Sequence, residues 1–136
     1  MKALLTAIYS ALINGTPGSL VNGRIYLDSV PDDAVLPYIL FFITSSAPDD
    51  PFAGTMERTY LQFSIFSSSS GVTEIADVYS AITDILDDSV LTLSEGEMIV
   101  MQRVNLFTSV EEETTKTGTE QVKHWVIEYE VIRTRD

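Results

Sequence analysis

Two hydrophobic rhythms run along the chain, one near 3.6 residues and one of two, and they divide it into helices and strands. Over residues 2–13, Leu4, Leu5, Ile8, Leu12 and Ile13 fall on one helical face. Asn14-Gly15, with Pro17-Gly18 just beyond, supplies the stop. The same opening, MKALLTAIYSALING, imitates a secretory leader, but Thr6, Tyr9 and Ser10 interrupt its apolar run and the one-sided pattern reads as an amphipathic helix. A second stripe is stronger. Ile75, Val78, Tyr79, Ile82, Ile85 and Leu86 keep the i, i+3, i+4, i+7 spacing and predict a helix from about Thr73 to Asp87. Burying its five aliphatic members would contribute roughly 7–15 kcal/mol before conformational entropy is subtracted. Glu74 and Asp77 suit the positive end of its dipole, whereas Asp87-Asp88 suit the other end badly and are expected to be solvated or paired to a partner.

The period-two segments are Arg24–Leu27, Leu36–Thr44, Glu57–Ser67, Met98–Thr108 and Gln121–Arg133. Leu36–Thr44 is apolar on both faces, with Tyr38, Leu40 and Phe42 on one and Ile39, Phe41 and Ile43 on the other. Such a strand is central in its sheet or covered by a second protein layer. In Glu57–Ser67, Leu61, Phe63 and Ile65 alternate with Tyr60, Gln62 and Ser64; in the last strand Trp125, Ile127, Tyr129 and Val131 face the core, with His124, Glu128 and Glu130 outward. Between these segments lie an acidic turn (Ser29–Ala34), a loop (Ser45–Met56), a serine-rich hinge (Ser67–Gly71) and a polar loop (Glu111–Thr119). The order α-β-β-β-α-β-β over residues 1–136 predicts a single α+β domain: a largely antiparallel four- to five-stranded sheet with two helices packed on one face.

Charge changes this picture more than composition does. Twenty carboxylates against eight Lys and Arg give a formal charge of −12, which makes the chain a poor candidate to grip nucleic acid, since that needs a dense cationic face. An acidic surface aids solubility, repels phosphate or meets a basic partner. The absence of Cys excludes disulfides, thiolate metal sites and a cysteine nucleophile. No stretch approaches the ~20 apolar residues of a membrane helix, so no membrane partner is expected.

Candidate chemistry is sparse. His124 is the only histidine, has no evident convergent partner, and reads as a surface residue. The pairs Asp32-Asp33, Asp49-Asp50 and Asp87-Asp88 lack calcium-loop spacing, and Ser67–Ser70 lack a nucleophile-elbow setting. Gly15, Gly18 and Gly23 form no phosphate cradle. No enzyme, metal site or cofactor is expected. A metal enzyme built on the Asp pairs would show a thermal shift with divalent ions that is lost on replacing Asp49 and Asp50. The aromatic residues are more informative, because two helices cover one sheet face while apolar side chains occupy both. The surplus favours an oligomer or a structural interface.

The motifs also occur in a telling order. An N-terminal helix is followed by GRIY (Gly23–Tyr26), an acidic proline turn, LPYI (Leu36–Ile39), and YLQFSIFS (Tyr60–Ser67) feeding an amphipathic helix; two long strands around a polar loop close the chain. Over about residues 3–134 this resembles the small tail-completion or tail-terminator-like proteins of long-tailed bacteriophages, encoded among head–tail joining genes. The resemblance implies a virion protein made in the host cytoplasm. It would be a homo-oligomeric ring subunit, commonly a hexamer, between the major tail tube protein and the head-completion (connector) protein. DNA would pass through the lumen without specific binding, and there are no catalytic residues to carry over. Acidity is this chain's own feature: six copies would carry about −72, repelling phosphate in transit. A heterologous ring needs two different adhesive surfaces per subunit, which suits a strand apolar on both sides. Tyr38, Leu40, Phe41 and Phe42 are therefore the candidate core and interface strand. Asp49, Asp50 and Phe52 in one loop, and Glu111, Glu112, Glu113 and Lys116 in the other, are candidate interaction residues. Both loops are expected to order only in the assembled particle, because their composition cannot bury itself. The alternative reading, carried by net charge alone, is a small acidic protein-binding module of the DNA-mimic or inhibitor type.

Overall fold

Five strands, Ile25–Leu27 (β1), Tyr38–Pro48 (β2), Met56–Ser67 (β3), Met98–Thr115 (β4) and Gly118–Thr134 (β5), form one sheet in the order β1-β2-β3-β5-β4. This computed structural model describes residues 1–48, 56–94, 96–115 and 118–134. β1 runs parallel to β2, and every other pairing is antiparallel. The return from β1 to β2 is tied down by Arg24, whose Nε donates to the carbonyl of Pro37 at 2.9 Å and whose Nη2 donates to that of Leu36 at 3.3 Å. The GRIY and LPYI motifs are thus stitched together by one guanidinium, which fixes where Tyr38 enters the sheet.

Helices Lys2–Ile13 (α1), Thr16–Leu20 (α2) and Thr73–Leu86 (α3) lie on one face. The expected stripes are the ones buried: Leu4, Ile8 and Leu12 from α1, and Ile75, Val78, Ile82 and Leu86 from α3. They close on Ile39, Phe41, Leu61, Phe63, Ile65, Ile127, Tyr129 and Val131, one face of β2, β3 and β5. At the centre, Phe41 stacks on Phe63 at 5.5 Å, and Phe63 meets Tyr129 edge-on at 5.5 Å.

The structure departs from the sequence reading in three places. Pro17-Gly18, expected only to stop α1, begins the short helix α2, because proline in a first turn has no N–H to lose. Gly18 is required there, since a Cβ would lie 2.3 Å from the carbonyl oxygen of Ile13. In the two longest segments expected as loops, Ser45–Met56 and Glu111–Thr119, the described residues are strand. β2 continues to Pro48, and Glu111–Thr115 and Gly118–Thr119 belong to β4 and β5, with Glu111 opposite Val122, Glu112 opposite Gln121 and Thr114 opposite Thr119. β3 stops pairing with β5 at Ser67, so among the described residues only β4 and β5 continue beyond Lys123, as a two-stranded arm. Its polar residues Glu111, Glu112 and Gln121 show no hydrophobic alternation, so the stretch reads as a loop in sequence. Finally, the serine hinge is pinned. Ser67 Oγ donates to Glu74 Oε1 at 2.6 Å and accepts from the Ser69 amide, while Lys123 Nζ donates to the Ser69 carbonyl.

Candidate assembly surface

Because the helices occupy one side of the sheet, strand alternation delivers the remaining aromatic residues to the other. Register decides which of them meet. Tyr38 on β2 lies opposite Phe66 on β3, which lies opposite His124 on β5. The rings touch in sequence: Tyr26 packs edge-on against Tyr38 at 5.8 Å, Tyr38 stacks on Phe66 at 4.9 Å, and Phe66 stacks on His124 at 4.1 Å with 15° between planes. His124 Nδ1 lies 3.0 Å from Oε1 of Glu111, carrying the row onto β4. A parallel row of Leu40, Ser64, Val126 and Phe107 runs beside it. Two apolar or aromatic rows thus cross the open face.

His124 is not the surface residue expected. Its side chain is 18% exposed, sandwiched into the ring row, and Nε2 is buried with no hydrogen-bond partner among the described residues. Stacking, which depends on pairing with a distant strand, could not be read from its polar neighbours in sequence. Beyond this face, β4 is the outer strand. Met101 is bridged by Ser89, but from Arg103 onward no strand pairs the outer side of β4 among the described residues. That stretch presents Val104, Phe107 and Val110, each more than half exposed.

Behind the sheet, α3 is fastened by polar contacts. The buried phenol of Tyr129 donates to Asp87 Oδ1 at 2.6 Å, and Arg103 Nη2 lies 3.3 Å from Asp87 Oδ2. Arg103 also donates to the hydroxyl of Tyr79 and lies over its ring, 5.6 Å from the centroid. Asp87, expected to be solvated or paired to a partner, is therefore satisfied within the chain. A carboxylate that suits the helix dipole badly is held instead by a phenol and a guanidinium. Burial, above all, and the hydrogen bond and charge of Asp87 push the Tyr129 phenol far above its ordinary range.

The predicted residues separate accordingly. Tyr38, Leu40 and Phe42 lie on the open face, half-buried, whereas Phe41 is wholly in the core. Glu111 and Glu112 are exposed on β4, and Glu113 follows in the same strand opposite Glu120. Asp49, Asp50, Phe52 and Lys116 lie outside the described residues. The sequence pattern does not join Phe66, Phe107 and His124 into one surface, because alternation marks the side each takes but not the neighbour across it. Among the described residues no three His, Asp or Glu side chains gather as a metal site, and no helix is long and apolar enough to cross a membrane.

The fold and this face define an α+β protein with an extended aromatic and apolar sheet face away from its helices. The chain belongs to the tail completion protein gp17 family, whose profile matches residues 6–133. It is thereby a structural component of a phage-type virion tail. Among solved structures, a chain from the virion of a native gene transfer agent particle is similar in fold, with a TM-score of 0.65 at 20% identity over 96% of this chain and 95% of its own. A second solved chain shares the fold at a TM-score of 0.54 and 11% identity, over 96% of this chain and 91% of its own. No curated protein sequence matches significantly.

Proposed function

We propose that the chain is the subunit of a ring, six copies round, that ends the tail tube on its head-proximal side. The ring joins the tube to the head-completion proteins and leaves a lumen for DNA. The observation that carries this reading is the open sheet face: rings on four strands, Tyr26, Tyr38, Phe66 and His124, stack into one row on the side away from the helices. A half-buried aromatic face of this extent suits contact with another protein. Membership of a tail-completion family supports the location, and similarity to a chain of a gene transfer agent virion supports a place in a particle. The charge of −12 suits a conduit, since an acidic wall does not retain phosphate.

Light scattering with negative-stain imaging tests this on the purified chain and on isolated particles. Rings of about six subunits, on the tail at its head end, are expected. A chain that stays monomeric at every concentration and is absent from the neck of purified particles would overturn the proposal. Displacement of DNA from a basic protein by that monomer would favour the acidic binding module instead.

A further inference from the structure

The two edges of the sheet differ in shape and charge. At the β1 edge, α1 and the end of β1 enclose an open groove of about 520 Å³ lined by Lys2, Leu5, Thr6, Tyr9 and Leu27. Lys2 is the only charged residue among the described residues of that lining, and Tyr9 and Leu27 are each exposed. At the β4 edge, apolar side chains stand exposed. Phe107 points to the open face and Val110, three residues on, to the helix side; each is more than half exposed, and the exposed Glu111 and Glu112 follow directly. A partner approaching edge-on meets apolar side chains from both sides of one strand, then two carboxylates.

We infer that the β4 edge of one copy seats in the α1–β1 groove of the next, with Phe107 and Val110 against Leu5, Tyr9 and Leu27, and with Glu112 facing Lys2. Three observations favour a second copy as occupant. Groove and edge match in character, one a largely apolar groove with a cation, the other a row of exposed apolar side chains followed by anions. They stand at opposite ends of a five-stranded sheet, so four inter-strand spacings put them about 19 Å apart, and one subunit cannot satisfy itself. Two unlike surfaces at opposite ends also give head-to-tail contact, the geometry that closes a ring instead of a two-fold dimer. Charge adds a reason for this particular pairing. Copies of a chain at −12 repel one another, and a lysine inside an apolar groove is a place where an acidic edge is attracted. His124 Nδ1 lies 3.0 Å from Glu111 at the base of the arm.

This inference rests on the ring reading, and its test separates the two. The chain has no cysteine, so Lys2→Cys and Glu112→Cys introduce the only thiols. Assembled rings or particles carrying both substitutions are treated with a short bismaleimide and resolved on a denaturing gel. A covalent ladder that climbs to the full ring is expected from the double variant and no ladder from either single variant. A dimer from a single variant would mean like surfaces meet and would overturn the head-to-tail contact. Imaged rings without a ladder would overturn the groove-and-edge pairing while leaving the ring. Absence of both rings and ladder, in solution and in particles, would remove both. Lys2→Glu is expected to lower assembly at least tenfold, with recovery on adding Glu112→Lys; failure of that recovery counts against the pairing.

Discussion

The phenol of Tyr129 donates a 2.6 Å hydrogen bond to Asp87, joining the C-terminal cap of α3 to the middle strand of the β3-β5-β4 half of the sheet. Tyr129 is fully buried and Asp87 is also reached by Arg103. Tyr129→Phe keeps the ring and its edge-on contact with Phe63 but removes the donor. We expect a loss of about 1–2 kcal/mol in urea denaturation, since Asp87 keeps one partner. A change below ~0.3 kcal/mol would mean the bond contributes little to the fold.

The same bond predicts alkaline sensitivity. Burial, then the hydrogen bond and charge of Asp87, raise the Tyr129 phenol above its ordinary value near 10. The unfolded chain therefore releases this proton first. Above about pH 10 the folded state binds more protons than the unfolded one, and stability falls as pH rises. Denaturation midpoints from about pH 8 to about pH 11 should decline more steeply for the wild-type chain than for Tyr129→Phe. Parallel curves for the two proteins would contradict the assignment.

Phe66 lies between Tyr38 and His124 and contacts both rings. Phe66→Leu preserves apolar volume but removes both stacking contacts, and should cost about 1–2 kcal/mol. A double-mutant cycle with Tyr38→Leu isolates one contact, with a coupling of about 0.5–1.5 kcal/mol expected. Zero coupling would show that the row is held by burial alone.

Glu111 is about half exposed, so its pairing with His124 is screened by solvent. Glu111→Gln should leave global stability within about 1 kcal/mol. Its expected effect is local. Amide exchange across residues 110–122 should speed up, because only β4 and β5 continue beyond Lys123. Unchanged exchange in that arm would show that the contact does not brace it.

Gly18 meets the carbonyl of Ile13 so closely that any side chain must displace backbone. Gly18→Ala is expected to destabilise by about 1–3 kcal/mol, read from thermal unfolding, by prising α2 from the end of α1. A neutral result would show that the turn between the helices yields freely.

Much of this protein is local and could be read from the chain. The spacing of Ile75, Val78, Ile82 and Leu86 by itself determined α3 and its buried stripe. The alternation in Tyr38–Ile43 determined that β2 is apolar on both sides, and the order of short motifs was enough to indicate the family. What only the tertiary structure decided depends on neighbours far apart in sequence. Period-two patterning assigns a side chain to a face but cannot say which strand lies beside it, because register is settled by pairing across the whole sheet. So Tyr38, Phe66 and His124 become one row only once β2, β3 and β5 are adjacent, and Asp87 finds Tyr129 only once α3 lies on β5. The polar segment after Val110 shows the same limit from the other side: its residue types carry no hydrophobic alternation, and only cross-strand pairing makes it an arm.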